Sequence, residues 1–377
     1  YSMAAMTGGG PGRTGVSILT GFLGAGKTTL VNHILNGSHG MRIAVIENEF
    51  GEIGVDDALV METEEEVFEM NNGCVCCTVR GDLLRIFERL SRRPKFDHIL
   101  IETTGLADPA PVAQTFFVDE TVKANFELDA IITVVDAAHV LPHLNEEKPE
   151  GIENESVEQV AFADRILLNK IDLVTESEKQ QVVDKLRGIN QVAEIIETSH
   201  AHVEVSRVLG IKAFDLDKVL QQEADFLDTE GEHMHDLSVT SVGCQFDGAL
   251  DLDKLNTFFT RLLQEKGVDI FRSKGVLSIA GTDARYVFQA VHMLMGFSSS
   301  DDGVGRSWKE NEPRTNRVIF IGRNLNREEL VTKFLACLSD QSEATRAMDE
   351  IMEARAAATA KGAEALSTPR DAADSSQ

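Results

Sequence analysis

Nowhere in the chain do about eighteen apolar residues run together, the length a membrane-crossing helix needs. The strongly apolar stretches, such as Ile131 to Val135, have strand length. Basic residues are scarce: Lys and Arg total 36 against 62 Asp and Glu, a formal net charge of −26. That balance argues against broad binding to nucleic acid or to an anionic membrane, both of which need a basic face. A nucleotide pocket needs only one or two cations and is not excluded. Cysteine is sparse as well, with five in 377 residues. An odd number, with three packed into Cys74, Cys76 and Cys77, is no secreted disulfide framework. A reducing compartment fits better, the cytoplasm or an organelle. The single tryptophan, Trp308, reads as core or interface packing, and no internal repeat occurs at solenoid periods.

What is present suggests two domains. Residues 1–14 are small and Gly-rich and read as a flexible arm. From residue 15 to 200, short apolar runs (Val16–Thr20, Arg42–Ile46, His98–Ile101, Ala130–Val135, Arg165–Leu168, Ala193–Ile196) alternate with amphipathic segments such as Thr28–Asn36 and Asp82–Leu90. Near-continuous Val/Ile/Leu strands separated by helices mark a mostly parallel, doubly wound α/β sheet. Residues 201–236 read as a linker. Residues 237–340 show a β-α-β-β-β-α order, a smaller α+β domain in which Ser298–Ser307 is an expected loop. The tail 341–377 is expected to pass from partly helical to disordered.

The chemistry begins at Gly21-Phe22-Leu23-Gly24-Ala25-Gly26-Lys27-Thr28, a full G-x-x-x-x-G-K-[ST] motif after a strand and before a helix. Its glycines let successive N–H groups face phosphate oxygens, and the helix start adds its positive dipole end. Lys27 is expected on the β/γ-phosphates and the Thr28 hydroxyl on Mg²⁺. The strand Ile99-Leu100-Ile101 ends in Glu102, placed to hold Mg²⁺ through water, and Gly105 follows as a γ-phosphate-sensing amide. Asn169-Lys170-Ile171-Asp172 follows another strand, where Asp172 can accept both donors of a guanine edge while Asn169 and the Lys170 stem complete the ring pocket. The nucleotide is therefore expected to be GTP, held by Gly21, Gly24, Ala25, Gly26, Lys27, Thr28, Thr29, Gly105, Asn169, Lys170 and Asp172. Lys27, Thr28 and Glu102 serve hydrolysis, with Glu49 the candidate for orienting water.

A second chemistry lies between these motifs. Cys74, Cys76 and Cys77 can present three thiolates to one soft or borderline cation such as Zn²⁺. Glu47, Glu49 or Glu52 can supply a replaceable fourth ligand, which suits metal transfer better than a closed structural site. Redox chemistry of the vicinal pair Cys76–Cys77 is the competing reading. His233 and His235 form either a secondary capture site or a plain solvated linker, and Cys244 and Cys337 read as core.

In the order GFLGAGKTTL, ENEFGE, NGCVCCTV, ETTGLADPAP and NKID, these segments resemble the CobW-type P-loop GTPases. Gln159-Val160-Ala161-Phe162-Ala163-Asp164, Gly275-Val276-Leu277-Ser278-Ile279 and Arg314-Thr315-Asn316-Arg317 are similar to the eukaryotic zinc-regulated GTPase metalloprotein activator branch, whereas Glu47 is similar to the bacterial form of its motif. The resemblance, over Val16 to Leu338, implies a GTPase domain followed by a CobW C-terminal domain. It also implies zinc at the Cys74/Cys76/Cys77 motif, GTP at the P-loop, and a client metalloprotein, in the eukaryotic branch a type I methionine aminopeptidase. A nucleotide-binding metal store or sensor, and a thiol-redox-regulated GTPase, are the rival functions.

Overall fold

The computed structural model describes residues 4–5, 12–37, 39–47, 66–69, 76–92, 96–105, 107–146, 148, 154–213, 239–302, 307–310, 312–340, 342 and 344–348. Glu49, Glu52, Cys74, His233 and His235, most of the expected linker and the last part of the tail lie outside them.

Seven strands form the first sheet: β2 (Thr14–Thr20), β3 (Ile43–Glu47), β4 (Glu66–Glu69), β5 (His98–Glu102), β6 (Phe126–Asp136), β7 (Arg165–Asn169) and β8 (Glu194–Glu197). Their order is β4-β3-β5-β2-β6-β7-β8, and every pairing is parallel. The connecting helices are α1 (Lys27–Leu35), α2 (Cys76–Ser91), α3 (Ala110–Val118), α4 (Glu120–Asn125), α5 (Val140–Leu144), α6 (Glu155–Phe162) and α7 (Glu176–Ile189). Successive strand residues point to opposite faces, and the packing divides accordingly. Val16, Ile18, Ile99, Ile101, Ile166 and Leu168 share one core with Phe87, Phe116, Phe162 and Leu186 of α2, α3, α6 and α7. Leu19, Val45, Leu100, Ile132 and Leu167 face the other way, onto Leu30, Val31 and Ile34 of α1.

The second sheet has order β1-β12-β11-β10-β13-β9, built from β9 (Val239–Asp247), β10 (Ile270–Ser278), β11 (Arg285–Val291), β12 (Leu294–Ser299) and β13 (Thr315–Arg323). These pair antiparallel, while β1 (Ala4–Ala5) lies parallel to β12 at the edge. One face packs under α8 (Leu252–Lys266) and α9 (Arg327–Leu335), with Cys244 and Cys337 inside that core. The other face brings Phe271, Val291, Ile319 and Ile321 into the core that covers the parallel sheet. The two domains thus share apolar interior, each buried phenylalanine contributing roughly 1.5–3 kcal/mol. The sequence pattern does not show β12, because its hairpin turn is His292-Met293, with His292 at φ 51°, in place of the usual Gly or Asn signal.

Candidate functional site

A parallel sheet aligns the C-terminal ends of its strands, and the candidate residues gather there. Glu47 pairs with Glu102 across β3 and β5, and Asp136 pairs with Asn169 across β6 and β7. Between them β2 runs into the Gly21–Gly26 loop and α1. The loop's shape requires glycine at two places. A Cβ on Gly21, at φ 138°, would lie 2.2 Å from the Val134 carbonyl oxygen, and one on Gly26, at φ 111°, would lie 2.4 Å from Asn169 Nδ2. No side chain caps α1, so its first N–H groups are directed at the loop.

Lys27 is nearly buried. Its Nζ donates to the Gly21 carbonyl at 2.7 Å and the Phe22 carbonyl at 3.3 Å. Burial pushes its pKa down, and the Glu102 carboxylate partly opposes this. The Thr28 hydroxyl donates to Glu102 Oε1 at 3.2 Å. Gly105 comes so close to the loop that a Cβ there would lie 2.6 Å from the Leu23 backbone nitrogen. Phe22 meets His143 of α5 with ring centroids 3.8 Å apart.

On the other side of the loop, Asn169 Nδ2 donates to the Ala25 carbonyl at 2.9 Å, and Asn169 Oδ1 accepts from the Ala201 N–H at 2.9 Å. This buried amide ties the P-loop to the end of β7 and to the turn after β8. Lys170, at φ 63°, donates to Asp136 Oδ2 at 2.7 Å. Burial pushes Asp136 up, but its bonds to Lys170, His139 and the Ala138 N–H outweigh this and hold the carboxyl below its usual range. Asp172 lies exposed in the short 3₁₀ turn Ile171–Leu173. The sequence reading missed the turn at 198–202, where His200 and Ala201 adopt φ 53° and 56°; its only signal is its place just after the last strand. Asp136 was missed too.

Of the expected metal ligands, Glu47 ends β3, and the backbone of Cys76 and Cys77 opens the sixteen-residue helix α2. Glu49 and Cys74 lie outside the described residues. Cys244 and Cys337 sit away from this end, in the second domain's core, and burial pushes both thiols up to about 12.

Two family models match the chain in register with its two sheets. The CobW/HypB/UreG nucleotide-binding domain matches residues 15–197, and the cobalamin synthesis protein cobW C-terminal domain matches residues 239–338. The chain belongs to the CobW family. It is a P-loop GTPase of the metallochaperone type. It is 36% identical over 324 residues to the zinc chaperone YjiA of Escherichia coli, covering 85% of this chain and 97% of that one. It is 33% identical over 348 residues to the zinc-regulated GTPase metalloprotein activator 1 of Schizosaccharomyces pombe, covering 83% of each. The crystal structure of Zn(II)-bound YjiA GTPase superposes with a TM-score of 0.65 at 30% identity, over 86% of this chain and 99% of that chain. In this CobW protein the P-loop and the Asn169–Asp172 segment lie at the C-terminal strand ends of the first domain's sheet. Among the described residues, no helix is long and apolar enough to cross a membrane.

Proposed function

We propose that this GTPase couples hydrolysis at the P-loop to delivery of zinc into a client metalloprotein. The zinc would be held by Cys74, Cys76 and Cys77 with Glu47 as fourth ligand. One observation carries the reading: Glu47 and Glu102 stand directly opposite each other on adjacent parallel strands, and Glu102 meets the P-loop Thr28. The expected metal ligand and the expected nucleotide acid are therefore one strand apart. Cys76 and Cys77 open a helix, and a helix start favours the thiolate that a zinc ligand must be. The relatives named zinc chaperone point to zinc as the metal.

Mg²⁺ fits the pair Thr28 and Glu102, a hydroxyl and a carboxylate being the hard oxygen donors it takes. When bound it would neutralise charge on the β/γ-phosphates. The chain's own residues do the rest. Lys27 stays folded against the loop carbonyls, so its cation lies where phosphate oxygens would enter. Gly105 is assigned the amide that senses the γ-phosphate. Asp172 reads the guanine edge, with Asn169 and Lys170 framing the base pocket, and Glu49 orients water. Binding of GTP orders the segment after Glu102 and the Glu47–Glu52 loop, and hydrolysis releases both. The client is a metalloprotein, for which we propose a type I methionine aminopeptidase.

The test is GTP hydrolysis by metal-stripped protein in Mg²⁺, with and without one equivalent of Zn²⁺, beside a triple Cys74→Ala/Cys76→Ala/Cys77→Ala variant. Zinc should stimulate the wild type and leave the variant unchanged. Equal rates in all four samples would overturn the coupling.

A further inference from the structure

The segment Gln159–Asp164, unused by the site above, joins that site to the second domain. Every residue of α6 from Ser156 to Phe162 is buried. The Gln159 side chain, 1% exposed, donates from Nε2 to the Gly105 carbonyl at 3.1 Å and the Ala107 carbonyl at 3.2 Å. A buried helix must also find partners for its last carbonyls. Asn190 Nδ2 donates to the carbonyls of Val160, Ala161 and Ala163 at 2.9, 3.3 and 2.9 Å. The carbonyl left between them, that of Phe162, accepts from Arg272 of β10. Arg272 and Lys274 of β10 both bind Asp164, two residues beyond. Burial pushes Asp164 up, but the two cations outweigh it and hold its carboxyl below its usual range. The Phe162 ring packs on Phe271 and His292, with centroids 5.9 and 5.1 Å away.

We propose that Gln159 is a positioning residue for GTP hydrolysis, and that α6 is the rigid link through which the C-terminal sheet and the segment after Glu102 sense one another. Gln159 holds the carbonyls of Gly105 and Ala107, and so restrains the stretch of backbone that carries the Gly105 N–H. Arg272 and Lys274 fix the opposite end of the same helix. A shift of the C-terminal domain therefore moves Gln159, and nucleotide-driven ordering of Gly105 moves Arg272. A client that docks on the C-terminal domain could set the hydrolysis rate without touching the nucleotide, and to the extent that it also shifts GTP affinity, GTP shifts the affinity for that client by the same factor. This inference rests on Gly105 as the γ-phosphate-sensing amide.

The test is amide hydrogen exchange with and without a non-hydrolysable GTP analogue and Mg²⁺, beside steady-state GTP hydrolysis. In the wild type the analogue should slow exchange in the P-loop and also alter exchange in β10 and β13. Gln159→Met should keep the P-loop response and lose the one in β10. Its kcat should fall about tenfold with KM within about twofold of wild type, as expected when a contact that positions the reacting groups from a distance is cut. Arg272→Met cuts the other end while leaving Asp164 its bond to Lys274, so it provides the same reading should Gln159→Met fold poorly. The double variant should be no worse than the more damaged single one. An unaltered β10 response in both single variants, or none in the wild type beside a protected P-loop, would overturn the link. Absence of P-loop protection in every protein would instead overturn the nucleotide reading beneath it.

Discussion

Substituting Gly26→Ala probes whether the P-loop and the strand bearing Asn169 act as one mechanical unit. Gly26 stands at φ 111°, ψ 23°, where a side chain costs about 1–3 kcal/mol of backbone strain. The new Cβ would lie 2.4 Å from Asn169 Nδ2. That amide cannot swing aside freely, because it is 2% exposed and bonded to the Ala25 carbonyl and the Ala201 N–H. Evicting it leaves a buried carbonyl unpaired, for about 1–3 kcal/mol more. The single variant should lose about 4 kcal/mol on the middle values of these two ranges. Asn169→Ala removes the obstacle along with its bonds. In that background Gly26→Ala should cost only the backbone strain, so the double variant should be about 2 kcal/mol more stable than the sum of the singles. Urea unfolding followed by far-ultraviolet circular dichroism measures all four proteins. Additivity within about 0.5 kcal/mol would refute the steric reasoning and separate the loop from the strand.

Other outcomes follow from single side chains. Lys27→Met should lower GTP turnover by at least about a hundredfold while leaving the melting temperature nearly unchanged, since removing the desolvated ammonium offsets the loss of its bonds to two loop carbonyls; turnover within tenfold of wild type would remove Lys27 from the phosphates. At the opposite end of the sheet, Ser17 Oγ bonds His98 Nε2 at 2.8 Å and Asp129 Oδ2 at 3.0 Å, all buried. Burial lowers the His98 pKa more than Asp129 raises it. The unfolded chain then takes up a proton that the folded chain refuses, so this stabilising contribution is complete above about pH 6.5 and declines as pH falls from there toward the folded pKa. His98→Gln should flatten the fall in unfolding free energy between pH 7.5 and 5.5, and an unchanged slope would assign that dependence to other groups.

The nucleotide motifs were legible because their chemistry depends on residue types at fixed spacing in one stretch of chain. Legibility ended where a polar residue finds its partner far along the sequence. Asn169 was readable as part of N-K-x-D, but not as the bridge to Ala25, which lies 144 positions away. Gln159 and Asn190 look like helix-surface polar residues until both prove buried and bonded to carbonyls. The same cause moved an element boundary. Arg272, Ser273 and Lys274 interrupt the apolar run before Gly275, yet β10 begins at Ile270. Arg272 and Lys274 are tolerated inside because Asp164 and the Phe162 carbonyl receive them. The alternation was sound, and the exception marks the domain junction. Helix α2 likewise starts at Cys76 rather than Asp82, since a run of Cys, Cys, Thr and Val carries little helix propensity of its own.

The strand order supplies a physical reason for metal and nucleotide to communicate on the reading proposed above. Glu47 ends β3, and the P-loop leaves β2, with only β5 between them. Two strand spacings are about 10 Å. Hydrolysis and loss of phosphate remove roughly one unit of negative charge from the P-loop. Against a divalent ion at about 10 Å, that unit is worth on the order of 1–3 kcal/mol for effective dielectric constants between water and a protein surface. This equals the coupling that allosteric proteins commonly achieve. Its sign is fixed: the triphosphate state attracts the cation more strongly and the diphosphate state less. Electrostatics across a single intervening strand would therefore favour metal capture with GTP and release after hydrolysis.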